Sequence, residues 1–303
     1  MKRISLLGFM LFPFTIEAQQ IPDTAYHPKL LSTEYTFSQG PVILIDEGHH
    51  NFHTKDGRYQ PFASLLTQDG YQVKSYTGSI SSNKLALGKI LVISNALHES
   101  NVGHWYLPTP SAFTAEEIEE LRRWVLRGGR LFLIADHMPL AGAAKDLAQV
   151  FGFEMSNGFV FHDSTEGVGY FNTVDGSLKQ NIITQGRNKN EEINHIVTFT
   201  GQGFKIPEDA QSILTFDSKY YNLMPDTAWA FHSSTPRASV SGWSQGAFKE
   251  YGKGKIVVFG EAAMFTAQLA GAELKKIGMN AESAGENYQL LLNIIHWLDP
   301  SRQ

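Results

Sequence analysis

FTAEEIEELRRWVLRGGRLFLIADH, running from Phe113 to His137, decides how this chain must fold. Thr114 stands where a helix N-cap belongs and Glu117 lies three residues on, a pairing in which each side chain satisfies the other residue's free backbone N–H; Phe113 precedes them as half of a hydrophobic staple. Ile118, Leu121, Trp124 and Val125 fall on one helical face, and Gly128-Gly129 stops the helix. Arg130 to Ala135 then reads as a buried strand of the kind covered on both faces, apolar from Leu131 on, and it breaks off at Asp136-His137. A helix feeding through glycine into such a strand is the unit of a parallel α/β sheet.

The same pattern extends both ways. Pro41 to Asp46 (PVILID) and Lys89 to Asn95 read as buried strands, and Tyr71 to Tyr76 as a short one. A helix with proline in its first turn spans Tyr59 to Leu66, and Pro139-Leu140-Ala141-Gly142 leads into another, Ala143 to Phe151, closed by Gly152. Tyr251 to Glu261 makes a tight glycine turn into a buried strand that again ends on an acid, and a last helix runs from about Glu286 to Leu298. Residues 157–247 loosen into short candidate strands, such as Asn194 to Thr200 and Gln211 to Phe216, whose order the sequence does not give. The expectation is a doubly wound, mainly parallel sheet with an irregular β-rich insertion.

Met1-Lys2-Arg3, an apolar run from Ile4 to Phe14 and the exit at Ala18 have the layout of a secretory signal peptide, so 1–18 is expected to be removed and the product to be periplasmic or extracellular. Residues 19–40 read as an extension and 41–303 as one domain. That apolar run is too short to cross a bilayer of ~30 Å, so no integral membrane anchor is expected. The chain of 303 residues has no cysteine, which excludes thiolate catalysis, cysteine-ligated zinc and disulfides. A net charge of −5 without a basic stripe argues against nucleic acid as a partner.

Chemistry belongs where polar residues follow buried strands, because ligands of such sheets bind beyond the carboxyl ends. Four ends qualify: Asp46-Glu47-Gly48-His49-His50-Asn51-Phe52-His53, Asn95-Ala96-Leu97-His98, Asp136-His137 and Gly260-Glu261. Three or four histidine and carboxylate ligands suit a divalent ion, zinc above all, and Asp46, His49, His53, His98, Asp136 and His137 could supply them. Glu47, Asp136, His137 and Glu261 could act as acid or base, with His50, Asn95 and Trp105 touching the substrate. Each has a plainer reading: Asp46 as a turn cap, the loop histidines as solvated, Asn95 and His98 as turn formers. His49 and His53 are four apart, yet no His-Glu-x-x-His pattern accompanies them. Ser94 lacks the glycines of a nucleophile elbow, and Arg127-Gly128-Gly129-Arg130 precedes a strand and does not open a helix, so no nucleotide cofactor is expected.

Ile45 to His49, Ile134 to Pro139 and Phe259 to Phe265, set in this order of elements, resemble the class I glutamine amidotransferase-like superfamily, and within it the bacterial relatives of trehalose-utilisation and gliding-motility domains. The resemblance covers most of Pro41 to Leu298 and implies a flavodoxin-like sheet with helices on both faces and a sugar-related ligand. Glutaminase activity does not carry over, since the elbow cysteine is absent and Asp136-His137 take its place. Two functions stay open: a metal-assisted hydrolase of a small polar or carbohydrate-derived substrate, and a noncatalytic carbohydrate- or protein-binding domain with aromatics such as Trp105, Tyr106 and Trp243 stacking on the ligand.

Overall fold

Four short, largely apolar runs and the mixed edge segment Gln72–Tyr76 become five parallel strands: β1 (Val42–Asp46), β2 (Gln72–Tyr76), β3 (Ile90–Ser94), β4 (Arg130–Ile134) and β5 (Gly254–Phe259). In this computed structural model, which describes residues 20–165 and 167–302, they lie in the order β2-β1-β3-β4-β5. Their registers are all parallel, so their carboxyl ends share one edge. The expected leader, 1–18, lies outside the described residues.

Alternation along each strand divides the core in two. Ile43, Ile45, Ile90, Val92, Phe132, Ile134, Val257 and Phe259 pack with helices α1 (Gln60–Gln68) and α4 (Asn287–Leu298). Leu44, Leu91, Ile93, Leu131, Leu133, Ile256 and Val258 pack with α2 (Ala115–Leu126) and α3 (Leu140–Gln149). Each such buried side chain contributes ~1.5–3 kcal/mol, which is why unbroken apolar runs are stable only in a sheet covered on both sides.

The local signals act as physics requires. Thr114 and Glu117 form a full capping box on α2. Gly128, past the end of that helix, sits at φ +120°, a conformation closed to side chains. A Cβ on Gly260 would stand 2.3 Å from the carbonyl oxygen of Gln202, so only glycine lets the 201–202 loop lie against the end of β5. Helix α3 starts at Leu140, three residues ahead of the expected Ala143, because Pro139 takes the cap position, where a missing N–H goes unnoticed.

The 157–247 stretch splits its strands among several sheets. Phe204–Lys205, Gln211–Thr215 and Ser244–Tyr251, with Glu154–Met155, extend the main sheet antiparallel beyond β5 to nine strands. Phe159–His162, Tyr220–Leu223 and Arg237–Ser239 form a second sheet, and Val168–Asn172 pairs with His195–Phe199. Gln20–Pro22 joins Ala267–Ala270 and Lys275–Gly278 in a small antiparallel sheet. These pieces rise around the carboxyl edge of β1 to β5 and make the walls of a cleft. No helix among the described residues is long and apolar enough to cross a membrane.

Candidate functional site

The carboxyl edge carries two clusters of different character. The first gathers behind β1. Asp46 accepts from the backbone N–H of Gly48 at 3.2 Å, from Asn51 Nδ2 at 3.0 Å and from His49 Nδ1 at 2.9 Å. The other nitrogen of His49 reaches Glu117 Oε1 at 3.2 Å, and its ring lies against Phe113, 4.5 Å between centroids. Both neighbours are carboxylates, which only accept when ionised, so both ring nitrogens carry hydrogen and the ring is an imidazolium. Burial works against that charge, but the bonds and charges of Asp46 and Glu117 outweigh it and hold His49 above the ordinary imidazole range. Glu117 is pushed up by its partial burial yet ends below the usual carboxylate range, held there by the N–H of Thr114 and Ile80 and by His49.

The second cluster opens onto a cleft of about 770 Å³, within the size range of small-molecule sites. Asn95, Asp136 and His137 lie on its floor, Phe52, Trp105 and Trp229 on its walls. Asn95 Oδ1 accepts the backbone N–H of Asp136 at 2.9 Å, and Asp136 Oδ1 accepts that of His137 at 2.8 Å. His137 Nδ1 stands 2.7 Å from the carbonyl of Met138. A carbonyl only accepts, so Nδ1 carries the hydrogen, and in the neutral ring Nε2 is left as a bare lone pair. Nε2 is 4.0 Å from Asp136 Oδ1, too far for a hydrogen bond. The ring is stacked on Phe159 at 4.2 Å and edged by Trp229 at 4.8 Å and Trp105 at 6.0 Å, which fixes its plane.

Backbone strain gathers here too. Asn95, Thr200 and Trp229 line the cleft with φ of +49°, +79° and +65°; for a β-branched or bulky residue such a value is disfavoured and persists only when the surroundings impose it.

Beyond β5, on the Asp136 side, Glu261 is fully buried and accepts the N–H of Ala263 at 2.7 Å and of Met264 at 2.8 Å, in the turn Ala263–Phe265 that borders the cleft. Burial, reinforced by the nearby charge of Asp136, raises its carboxyl to about 8 against the opposing N–H bonds. His53 lines the cleft but is almost wholly covered, 4.5 Å from Tyr59 between rings; burial and then Arg58 lower it to about 3, so it stays neutral.

The edge therefore brings together His53, Asn95, Trp105, Asp136 and His137 of the residues expected from sequence, and leaves the others out. Asp46 and His49 close on each other and on Glu117. His98 turns to Ser100, accepting its N–H and meeting its Oγ at 2.8 Å, because it caps the short turn Glu99–Asn101. Glu47 accepts from Lys55 N–H and Ser75 Oγ and so ties its loop to β2, while His50 is exposed at φ +48°. Glu261 faces inward.

The expected zinc set does not fit as a set: the nitrogens of His49 are occupied, His98 turns to Ser100, and His53 is buried with its Nδ1 3.4 Å from Ser94 Oγ, which leaves Asp136 and His137 at the floor with groups to offer. Among the described residues no three histidine, aspartate or glutamate side chains are arranged to hold a metal ion. Sequence reading missed Trp229, Tyr170 and Phe199 as wall residues, all from the stretch without a periodic pattern. It read Glu117 only as a cap, and no spacing rule could have joined it to His49, 68 positions away.

No family profile and no curated protein sequence matches the chain. Among solved structures it is similar to the N-terminal domain of mmIFT52, at 15% identity and a TM-score of 0.59 over 86% of this chain and 97% of that one. It is also similar to a ThuA-like protein from Bacteroides uniformis (12% identity, TM-score 0.48, 88% and 96% covered) and to the cytoplasmic protein STM3548 from Salmonella typhimurium (14%, 0.49, 85% and 98%). At such identity the likeness to the mmIFT52 domain shows the fold alone, a mixed α/β architecture around a large, mainly parallel sheet.

Proposed function

We propose that this is an exported hydrolase whose cleft binds a small polar, carbohydrate-class ligand, with His137 and Asp136 as the reacting side chains. We also infer that the sheet is doubly wound in the flavodoxin-like sense, from the order β2-β1-β3-β4-β5 and the helices packed with each face. One observation carries the functional reading: at the carboxyl edge of the sheet, inside an aromatic-walled cleft, His137 offers an unoccupied Nε2 in a ring held by Phe159 and the Met138 carbonyl. Flat apolar walls with a few polar groups at the floor suit a sugar, whose ring faces stack while its hydroxyls hydrogen-bond. An imidazole with a fixed tautomer suits proton transfer near neutral pH.

The aromatic walls by themselves favour a second reading, a noncatalytic sugar-binding domain. Thermal unfolding in the presence of glucose, xylose and cellobiose, free and acetylated, tests the shared part. A ligand at a hundredfold its Kd adds ~2.7 kcal/mol of stability, and Trp105→Ala and Trp229→Ala should each erase that shift. No shift with any of them removes the cleft as a sugar site. Turnover that disappears in His137→Gln separates the hydrolase from the binder.

A further inference from the structure

Resting on the reading of the cleft as a site for a polyhydroxyl ligand, we propose that the bond broken there is an acyl ester carried by that ligand and not a glycosidic bond, with His137 as general base and Asn95 as donor to the oxyanion. The placement of the carboxylates argues for it. Glycosidic cleavage uses two carboxyl groups flanking the scissile bond. Glu261 cannot be one of them, since it is fully buried with its two oxygens on the N–H groups of Ala263 and Met264. Glu282, the other acid of the cleft wall, is exposed on the turn Glu282–Ala284. Among the described residues Asp136 is then the one carboxylate at the floor.

Ester hydrolysis asks for different parts: a base for the attacking water and a fixed donor where negative charge develops. His137 Nε2 supplies the base. Asn95 supplies the donor, and its orientation is settled by chemistry: the N–H of Asp136 needs an acceptor, so the atom 2.9 Å away is Oδ1 and the remaining amide atom is Nδ2. Nδ2 has no partner among the described residues, and Asn95 lines the cleft. Its backbone, at φ +49°, is pinned by its N–H to the Ile134 carbonyl and by the Phe52 N–H to its own carbonyl, each at 2.9 Å. Such a donor does not have to reorganise as charge appears.

In the step itself, the oxygen of water bonds to the acyl carbon while its proton passes to Nε2, and the carbonyl electron pair moves onto the oxygen beside the Asn95 amide. Collapse restores the carbonyl and breaks the bond to the sugar oxygen, which takes the proton back from Nε2. The products are a carboxylic acid and a free hydroxyl.

Glucose pentaacetate and 4-nitrophenyl β-D-glucopyranoside, given separately to the full chain, test this. Acetate release without nitrophenol release is the expected result. Asn95→Asp keeps the acceptor for Asp136 N–H and replaces the donor by an oxygen, so kcat on the ester should fall ~10²–10³-fold with KM changed less than about threefold and the unfolding midpoint retained. Should that variant fail to fold, Asn95→Gly, at ease at positive φ, should lose the same factor. His137→Gln removes the base, so acetate release from the ester should fall ~10²–10⁴-fold.

Nitrophenol release that depends on His137 overturns the inference while leaving the cleft a hydrolase site. Binding of both probes without turnover of either also overturns it and leaves a binding site, and absence of binding sinks the underlying reading as well. A folded Asn95 variant with undiminished acetate release removes Asn95 from the chemistry.

Discussion

Two clusters of histidine and carboxylate stand on the same edge of one sheet, and they differ in how their hydrogen bonds are used. Around Asp46, the ring of His49 has both nitrogens on carboxylates, and Glu117 also takes the N–H of Thr114 and Ile80. Such a group is closed, and its role is to tie the loop after β1 to the start of α2. Around Asp136, each residue keeps one polar atom without a partner among the described residues: Asn95 its Nδ2, Asp136 its Oδ2, His137 its Nε2. The second cluster faces a cavity and the first faces Phe113. The same residue types build an architectural joint or a reactive floor, according to whether partners within the fold use up their capacity.

The strongest way to break this contrast is to remove one carboxylate from each. Asp46→Ala takes the partner from a buried imidazolium, from Asn51 and from the Gly48 N–H, and breaking a buried ion pair by removing one member costs ~3–5 kcal/mol. Asp136→Asn retains an acceptor for the His137 N–H and alters only an atom facing the cleft, so its cost should stay within ~1 kcal/mol. Urea unfolding of the two variants reads the difference directly. Equal destabilisation would show that the Asp136 cluster is structural too, and the functional reading of the cleft would go with it.

Sequence made the edge visible but not the division along it. A run such as Arg130 to Ala135 announces its strand and its end, because burial on both faces keeps Leu131 to Ala135 apolar and polar residues return as the strand leaves the sheet. From that, Asp46, Asn95, Asp136 and Glu261 could all be put on one rim. What each then does depends on neighbours contributed by other segments. His49 resembles a ligand until Glu117 arrives from the capping box of α2; His98 resembles one until Ser100 turns its ring aside. Trp229 and Thr200 reach the cleft on loops of the 157–247 stretch, where mostly short strands, divided among different sheets, leave no periodicity to read. Partnership between distant polar groups is a tertiary property, and the hydrophobic pattern that gives the fold carries no trace of it.

Glu261 sharpens the comparison because it lies under the open cluster yet is closed like the other. With its carboxyl raised to about 8, the folded protein holds a proton that the unfolded chain releases near the ordinary value of 4.5. Its contribution to stability is therefore fully present below pH ~4.5 and is lost as pH rises toward 8. Glu261→Gln, a neutral side chain of the same shape, should flatten the fall in stability across that window, measured as unfolding midpoint against pH. An unchanged slope would mean that Glu261 is ionised in the fold and that the N–H groups of Ala263 and Met264 dominate its environment.

The finest test compares two histidines four positions apart in one loop. His49 is an imidazolium between carboxylates, so the stability it provides is present below pH 6.5 and disappears only as pH climbs through its raised value. His53, dry and beside Arg58, refuses a proton until about pH 3, so the unfolded chain gains protons that the folded one does not, and stability falls as pH drops from 6.5 toward 3. The two slopes oppose each other within one protein. Ring-proton NMR should show the His49 resonance titrating above 6.5 and that of His53 unmoved from pH 8 down to 5. If both titrated together near 6.5, water would have access to both rings, the closed cluster would not be closed, and the distinction between joint and reactive floor would lose its physical basis.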